Sequence, residues 1–337
     1  MNQRINQIKH PLGIELTTPL LIPSYSSKGF AIDDSGKSEL CNIMNFAKEF
    51  VYESQLVSAY DIYHKHMPEI TELNRTQITL IDSGGYETSN NFDLSETRKY
   101  DRTRKVWNQN LLNEVIDSWP ELYPAIVVSF DDIDARIPIE DQIRNAQNYF
   151  CKKKQFLSDF LIKPNSYEES FIDIERIKNH ANDFSFFDIV GITEKELGDS
   201  LFERMKNIYS IRTKLDSLSI MSPIHIFGAL DPLSVILYFI VGAEIFDGLS
   251  WLKYDYFYGN ASYINNSCIL KNIDNMFLND NDLRLQTLKN NIYKLDTLKY
   301  ILIEFSKSSK YEIFDKIGGS GFGMIINDMI INFNKHL

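Results

Sequence analysis

The chain has little cysteine: three in 337 residues, Cys41, Cys151 and Cys268, set far apart. That excludes a disulfide framework and points to a reducing compartment. Positive charge is not in excess either. Lys and Arg number 35 against 46 Asp and Glu, a net charge of −11, so affinity for a polyanion must be local rather than spread over a broad face. The most apolar stretch, LSVILYFIVGAEIF at 233–246, is too short for a membrane span and already contains Glu244. The opening MNQRINQIKHP lacks the apolar core of a signal peptide. No internal repeat or low-complexity linker is evident, and the histidines show no metal-ligand spacing. A cytoplasmic protein with no membrane association is the expectation.

What is present is enough apolar material for a sizeable core: 44% of residues are hydrophobic and 24% charged, as in folded globular proteins. Short runs rich in Ile, Val and Phe fall at 18–24, 78–82, 125–130, 158–163, 186–192, 223–228 and 244–249. Helical patterns occupy 37–64, 94–117, 139–157, 166–182, 200–218 and 231–241. Near-continuous apolar strands between amphipathic helices predict parallel β-structure buried on both faces. Seven or eight such units without a composition break favour an α/β chain folded as a closed (β/α)8 barrel over 1–270. Residues 271–337 read as a helical segment that completes the barrel or packs on it. IGGSGFG at 317–323 lacks the GK[ST] ending of a phosphate loop and reads as a turn.

In such barrels the chemistry sits at the C-terminal ends of the strands. Here those ends carry Asp82-Ser83-Gly84-Gly85-Tyr86, Asp131-Asp132, Gly191-Ile192-Thr193-Glu194, Gly228-Ala229 and Asp247-Gly248. Singly, a strand-end Asp is a helix cap or turn former, and a glycine pair is a turn. The repetition of apolar run followed by carboxylate is what points to a site, with glycines that let a flat ligand approach the backbone. His225, inside a strand, reads as a structural or rim hydrogen-bonding residue. In TRKYDRTRK at 97–105, Arg98, Arg102 and Lys105 share one helix face by i, i+4, i+7 spacing, a candidate phosphate contact whose bland alternative is a solvated helix face.

The motifs resemble a known family. DSGGYE at 82–87 is similar to the DSGGFQ motif of the tRNA-guanine transglycosylases, and SFDD at 129–132 to their strand-end FDE. FFDIVGITEKELG at 186–198 resembles their FDGYAIGGLAVGE segment. PIHIFGALDPLSVILYFIVGAEIFDGLSW at 223–251 resembles the block ending in FDCVLPTR, and TTPLLIPSYSSKG at 17–29 resembles TPxFMPVGTxATVK. The order of the motifs is kept over residues ~15–255.

The resemblance implies a (β/α)8 barrel that exchanges a guanine in a polynucleotide for a 7-deazaguanine base through a covalent glycosyl-aspartate. By position, Asp247 matches the nucleophile and Asp82 the general acid/base. Asp131 matches the reader of the purine edge, Tyr86 the aromatic stacked on the base, and Phe227 the place of a methionine on its other face. Gly84 and Gly85 would admit the base, while Gly191, Ile192 and Gly228 stand where backbone contacts it. Lys253 stands near an arginine of the family and, with Arg98, Arg102 and Lys105, is a candidate nucleic-acid contact.

The departures are informative too. The family's CxCxxC and distal histidine are missing: only Cys268 lies in that region, and LKNNI at 288–292 replaces a THNL-type segment. No zinc or other cofactor is therefore expected. SDFLIKPN at 158–165 replaces FGIVQGG and removes a base-contacting glutamine. Loss of the zinc-held tRNA-contacting element favours DNA as the polynucleotide, with a divergent tRNA enzyme as the alternative. Two further readings are a non-catalytic accessory subunit and an unrelated barrel hydrolase of small nucleosides or sugars. A homodimer or an accessory partner is compatible with the family pattern.

Overall fold

The computed structural model describes residues 4–30, 38–89 and 105–337. Eight strands are closed into an all-parallel barrel in chain order: β1 Leu20–Tyr25, β2 Ser54–Ser58, β3 Ile78–Asp82, β4 Ala125–Val128, β5 Leu157–Ile162, β6 Ile189–Thr193, β7 Ile224–Phe227 and β8 Ile245–Gly248. Closure is made by β8 on β1, with Ile245 opposite Leu20 and Asp247 opposite Ile22. This is the expected (β/α)8 architecture.

The period of two along each strand divides the apolar residues between two cores. Leu20, Ile22, Leu56, Ile78, Leu80, Ile126, Val128, Leu157, Leu161, Ile189 and Ile245 point inward and fill the barrel. Their neighbours Leu21, Tyr25, Val57, Ile81, Val127, Phe160, Val190, Ile192, Ile226 and Phe246 point outward beneath the helices. An antiparallel ribbon, Gln7–Lys9 with Glu15–Thr17, closes the N-terminal end, where Ile8 and Leu16 join the interior cluster. With that end plugged, the C-terminal rim is where a ligand can enter.

The helix expected over 37–64 is replaced by a helix at Leu40–Ala47, strand β2 and a short helix at Ala59–Tyr63. The reason lies in SQLVS: its buried serines and glutamine break the apolar signature of a strand, and Gln55 and Ser58 find their partners elsewhere in the fold. Gln55 Nε2 donates to the Leu73 carbonyl at 2.5 Å, for example. The apolar stretch at 233–246 becomes the wholly buried helix Pro232–Val241, which leads into β8. Asp231 caps that helix, and Gly242 ends it at φ 116°. No helix of the described residues is long and apolar enough to cross a membrane.

After β8 the chain forms a short helix, Ser250–Lys253, a hairpin of Asp255–Phe257 with Asn260–Ser262, and helices at Ile264–Lys271, Asp280–Ser308 and Phe322–His336. The 29-residue helix Asp280–Ser308 packs against β1, the Leu40–Ala47 helix and the Pro232–Val241 helix, so it belongs to the helical layer of the barrel. Asn291, inside it, accepts from the Tyr256 N–H at 2.9 Å and donates to the Trp251 and Tyr254 carbonyls at 2.9 and 2.6 Å. A buried amide therefore holds the segment that follows β8. IGGSGFG makes its turn at 319–321, between helices Asp315–Gly318 and Phe322–His336, with Gly319 and Gly321 at φ 83° and 86° and the Gly323 N–H donating to Asp315 Oδ1 at 2.7 Å.

Candidate active site

Alternation along the strands explains why polar groups gather at one end of the interior. Continuing the inward sequence Leu20, Ile22 brings Ser24 to the rim; Ile78, Leu80 brings Asp82; Leu157, Asp159, Leu161 brings Lys163; and Ile245 brings Asp247. The residues at these upper positions, with Tyr86, Asp131 and Phe227, surround one cavity of about 420 Å³. That volume suits a single heterocycle and its sugar.

Asp247 is held from two sides. Ser24 Oγ donates to its Oδ2 at 2.7 Å, and the Gly228 N–H donates to its Oδ1 at 3.1 Å. His225 Nε2 also lies 3.2 Å from Oδ1, and His225 Nδ1 lies 2.6 Å from Asp159 Oδ2. Asp159 and His225 are fully buried, so carboxylate, imidazole and carboxylate form one line across the barrel beneath the pocket. Burial opposes a charge on His225, but the two carboxylates outweigh it and push the imidazole up to about 9. Burial raises the Asp159 carboxyl, with His225 pulling the other way.

Asp82 has a different environment. Enclosure in the pocket and, after it, the charges of Asp247 and Asp131 raise its carboxyl to about 6, against the pull of the Gly84 N–H that donates to Oδ2 at 3.0 Å. One pocket therefore contains a well-donated carboxylate and a second carboxyl poised to gain or lose a proton near neutrality. This division of labour is what general acid–base chemistry beside a nucleophile requires.

The two glycines after Asp82 have separate jobs. Gly84 turns the chain at φ 88°, and a Cβ there would meet Tyr60 and the Trp107 indole at 2.7 and 2.8 Å. Gly85 makes room for Asp131, whose Oδ2 would lie 2.6 Å from a Cβ at that position. Tyr86 lines the pocket, and the Lys28 ammonium stands 4.5 Å above its ring. Lys28 also donates to the carbonyls of Tyr86 and Ser89, both at 2.9 Å, which fixes the ring. Phe227 lines the pocket with its ring 3.8 Å from that of His225.

Asp131 is engaged by cations. Arg136 Nη1 donates to its Oδ1 at 2.5 Å, and Lys163 Nζ lies 3.2 Å from Oδ2. Lys163 also pairs with Glu196 at 2.8 Å. Burial disfavours the Lys163 charge, but Asp131 and Glu196 outweigh it and push the ammonium above its usual range. A ligand edge that binds Asp131 must therefore share it with Arg136 and Lys163.

The pocket brings together Asp82, Gly85, Tyr86, Asp131, Phe227, Gly228, Asp247 and Lys253. Gly84 lies behind it in the turn. Gly191 and Ile192 lie lower in β6 and are not among the lining residues. Gly191 leaves space for Phe227 and Asp159, whose atoms would be 2.5 and 2.7 Å from a Cβ, and Ile192 faces the helical layer. Lys105 is exposed, with Nζ 3.0 Å from His66 Nε2, whereas Arg98 and Arg102 lie outside the described residues.

Several site residues carried no sequence signal of their own. Ser24, Lys163 and Asp159 are recognisable only once inward registers are known. Glu87 lines the pocket and accepts from Ser26 Oγ and, at 2.7 Å, from Ser58 Oγ. Burial, then the charges of Asp61 and Asp82, push Glu87 up to about 8, so it is a neutral acid at pH 7. Asp61, Ser27 and His66 also cluster, but Ser27 Oγ and Asp61 Oδ1 both meet His66 Nδ1, at 3.3 and 3.1 Å. Sharing one nitrogen, they cannot form a nucleophile–base–orienter series and instead tie the loops after β1 and β2 together. Among the described residues no group of three or more His, Cys, Asp or Glu is arranged to hold a metal ion. No protein-family model matches the chain, and a search of curated proteins finds no match.

Proposed function

We propose that this protein is a guanine transglycosylase, a pentosyltransferase that exchanges a guanine in a polynucleotide for a 7-deazaguanine base by double displacement. The observation that carries the reading is the pairing of Asp247, held by Ser24 and the Gly228 N–H, with Asp82, raised to about 6, in one pocket lined by an aromatic from each side of the motif set. In the first displacement Asp247 attacks C1′, the C1′–N9 bond breaks, and Asp82 gives its proton to the departing guanine. In the second, the incoming base forms a new bond to C1′, its proton passes to Asp82, and the Asp247 ester breaks. Two inversions leave the configuration at C1′ unchanged.

Tyr86 and Phe227 supply apolar surface for a flat base, and Asp131 supplies acceptors for the paired N1–H and N2–H₂ donors of guanine. DNA is the favoured polynucleotide, because the cysteine set of the zinc-holding tRNA enzymes is missing from the sequence. The test is incubation with radiolabelled guanine and, in parallel, DNA or tRNA. Label should enter DNA. Label entering tRNA alone would favour the divergent tRNA enzyme, and label entering neither would favour an accessory subunit or a small-molecule hydrolase.

A further inference from the structure

Asp159 and His225 are two polar residues at inward positions of β5 and β7, the strands on either side of β6, where a barrel interior ordinarily takes aliphatic side chains. Neither is exposed, and neither reaches the pocket surface. Their only route to the chemistry is upward, through the 3.2 Å contact between His225 Nε2 and Asp247 Oδ1. The imidazole is oriented from below by the 2.6 Å contact of Nδ1 with Asp159, and the Phe227 ring lies against it. Space for this packing comes from Gly191, where a Cβ would collide with both Phe227 and Asp159.

The two oxygens of Asp247 are treated unequally. Oδ1 faces His225 and the Gly228 N–H, whereas Oδ2 has the single Ser24 hydroxyl. We propose that His225, oriented by Asp159, is a positioning residue that leaves Oδ2 to bond C1′ and holds Oδ1 as the stabilised end of the carboxylate when it departs. This deepens, and rests on, the transglycosylase reading above.

The consequence concerns how the two displacements are balanced. When the ester breaks, the C1′–Oδ2 electron pair returns to the carboxylate and the full negative charge reappears beside the His225 N–H and the Gly228 N–H. His225 keeps its proton throughout, since the proton of the incoming base goes to Asp82. Donors aimed at a developing oxyanion make it a better leaving group, and they temper it as a nucleophile. The Asp159–His225 pair therefore speeds the second displacement at the expense of the first. Groups that bear on the imidazole are Asp159 from β5 and Asp247 from β8, with the aromatic ring of Phe227 from its own strand.

The test is single-turnover kinetics on His225→Gln, with Asp159→Asn as a second variant that keeps side-chain volume. Formation of the covalent protein–polynucleotide adduct and its release by added base are timed separately, using guanine-containing DNA or tRNA. Loss of one hydrogen bond to a charged group is worth about ten- to a hundred-fold. Release should slow by that factor while formation is unchanged or faster, so the adduct accumulates at steady state. Nitrogen-15 NMR of the imidazole at pH 7.5 provides a readout independent of turnover. Wild-type His225 should be protonated on both nitrogens and should lose that state in Asp159→Asn. Equal slowing of formation and release, or a neutral wild-type His225, overturns the inference while leaving the transglycosylase reading intact. Absence of any adduct in wild type overturns that reading and this inference together.

Discussion

Asp82 is under the influence of Asp247 across the pocket: after enclosure itself, the Asp247 charge does most to raise the Asp82 carboxyl to about 6. The sign of the resulting pH dependence follows from the chemistry. Adduct formation needs protonated Asp82, so its rate should fall about tenfold per pH unit above about 6, while the base-addition step should slow as pH falls below it. Rapid-quench measurements between pH 5 and 8 would show this. Asp82→Asn should remove the dependence and lower the rate about 10²–10⁴-fold, because the nucleophile survives but its proton partner does not. A flat wild-type profile would exclude Asp82 as the titrating group.

Gly85→Ala tests the close approach of the turn to Asp131. The added Cβ would lie 2.6 Å from Asp131 Oδ2 and 3.0 Å from its Cβ, so the carboxylate that Arg136 holds by Oδ1 must shift. A misplacement of that size at a recognition group costs roughly tenfold or more in binding. The expected result is a raised KM for the incoming base with the melting temperature little changed. An unaltered KM would remove Asp131 from base recognition.

Glu87 predicts a pH-dependent stability. Its carboxyl is raised from an ordinary 4.5 to about 8, by burial first and then by Asp61 and Asp82. For a carboxyl raised in the folded state, the unfolded chain ionises first, so stability declines as pH climbs from about 4.5 to about 8 and then levels off. Glu87→Gln should keep the contacts with Ser26 and Ser58 and flatten that decline, a gain on the order of a few kcal/mol at pH 8.5. Urea titrations of both proteins at pH 5 and 8.5 measure it. A variant less stable than wild type at pH 8.5 would mean that Glu87 is ionised in the folded protein.

Asn291→Ala addresses the segment after β8. The amide satisfies three backbone groups, the Tyr256 N–H and the carbonyls of Trp251 and Tyr254, and the side chain is fully buried. Leaving buried backbone groups unpaired costs about 1–3 kcal/mol each, so a loss of roughly 2–5 kcal/mol is expected in denaturant unfolding. A loss below about 0.5 kcal/mol, the range of ordinary surface substitutions, would show that this segment is held by other contacts.

The barrel was legible because seven of its strands are apolar runs whose outward and inward residues are both buried, as parallel strands demand. Strand β2 was not, since Ser54, Gln55 and Ser58 interrupt its apolar run, and Gln55 and Ser58 find partners only in the folded chain. The same distinction holds at the site. Asp82 and Asp247 each end an apolar run, and a local pattern finds them. His225 and Asp159 lie 66 positions apart and acquire meaning only when closure of the barrel sets them 2.6 Å from one another. Glu87 sits inside the motif that drew attention to its neighbours, yet its raised carboxyl depends on burial by the fold and on Asp61, 26 positions away, against the opposite pull of the Ser26 and Ser58 hydroxyls.

The central claim is that Asp247 forms a covalent bond to C1′ of a polynucleotide, and denaturing electrophoresis measures it most directly. Wild-type protein incubated with guanine-containing DNA or tRNA should yield a band of protein joined to nucleic acid that disappears when 7-deazaguanine base is added. An amide is a very poor nucleophile toward C1′, so Asp247→Asn should give no band. A band of wild-type intensity from Asp247→Asn would contradict the account and move the nucleophile to another carboxylate, with Asp131 and Asp132 the next to test.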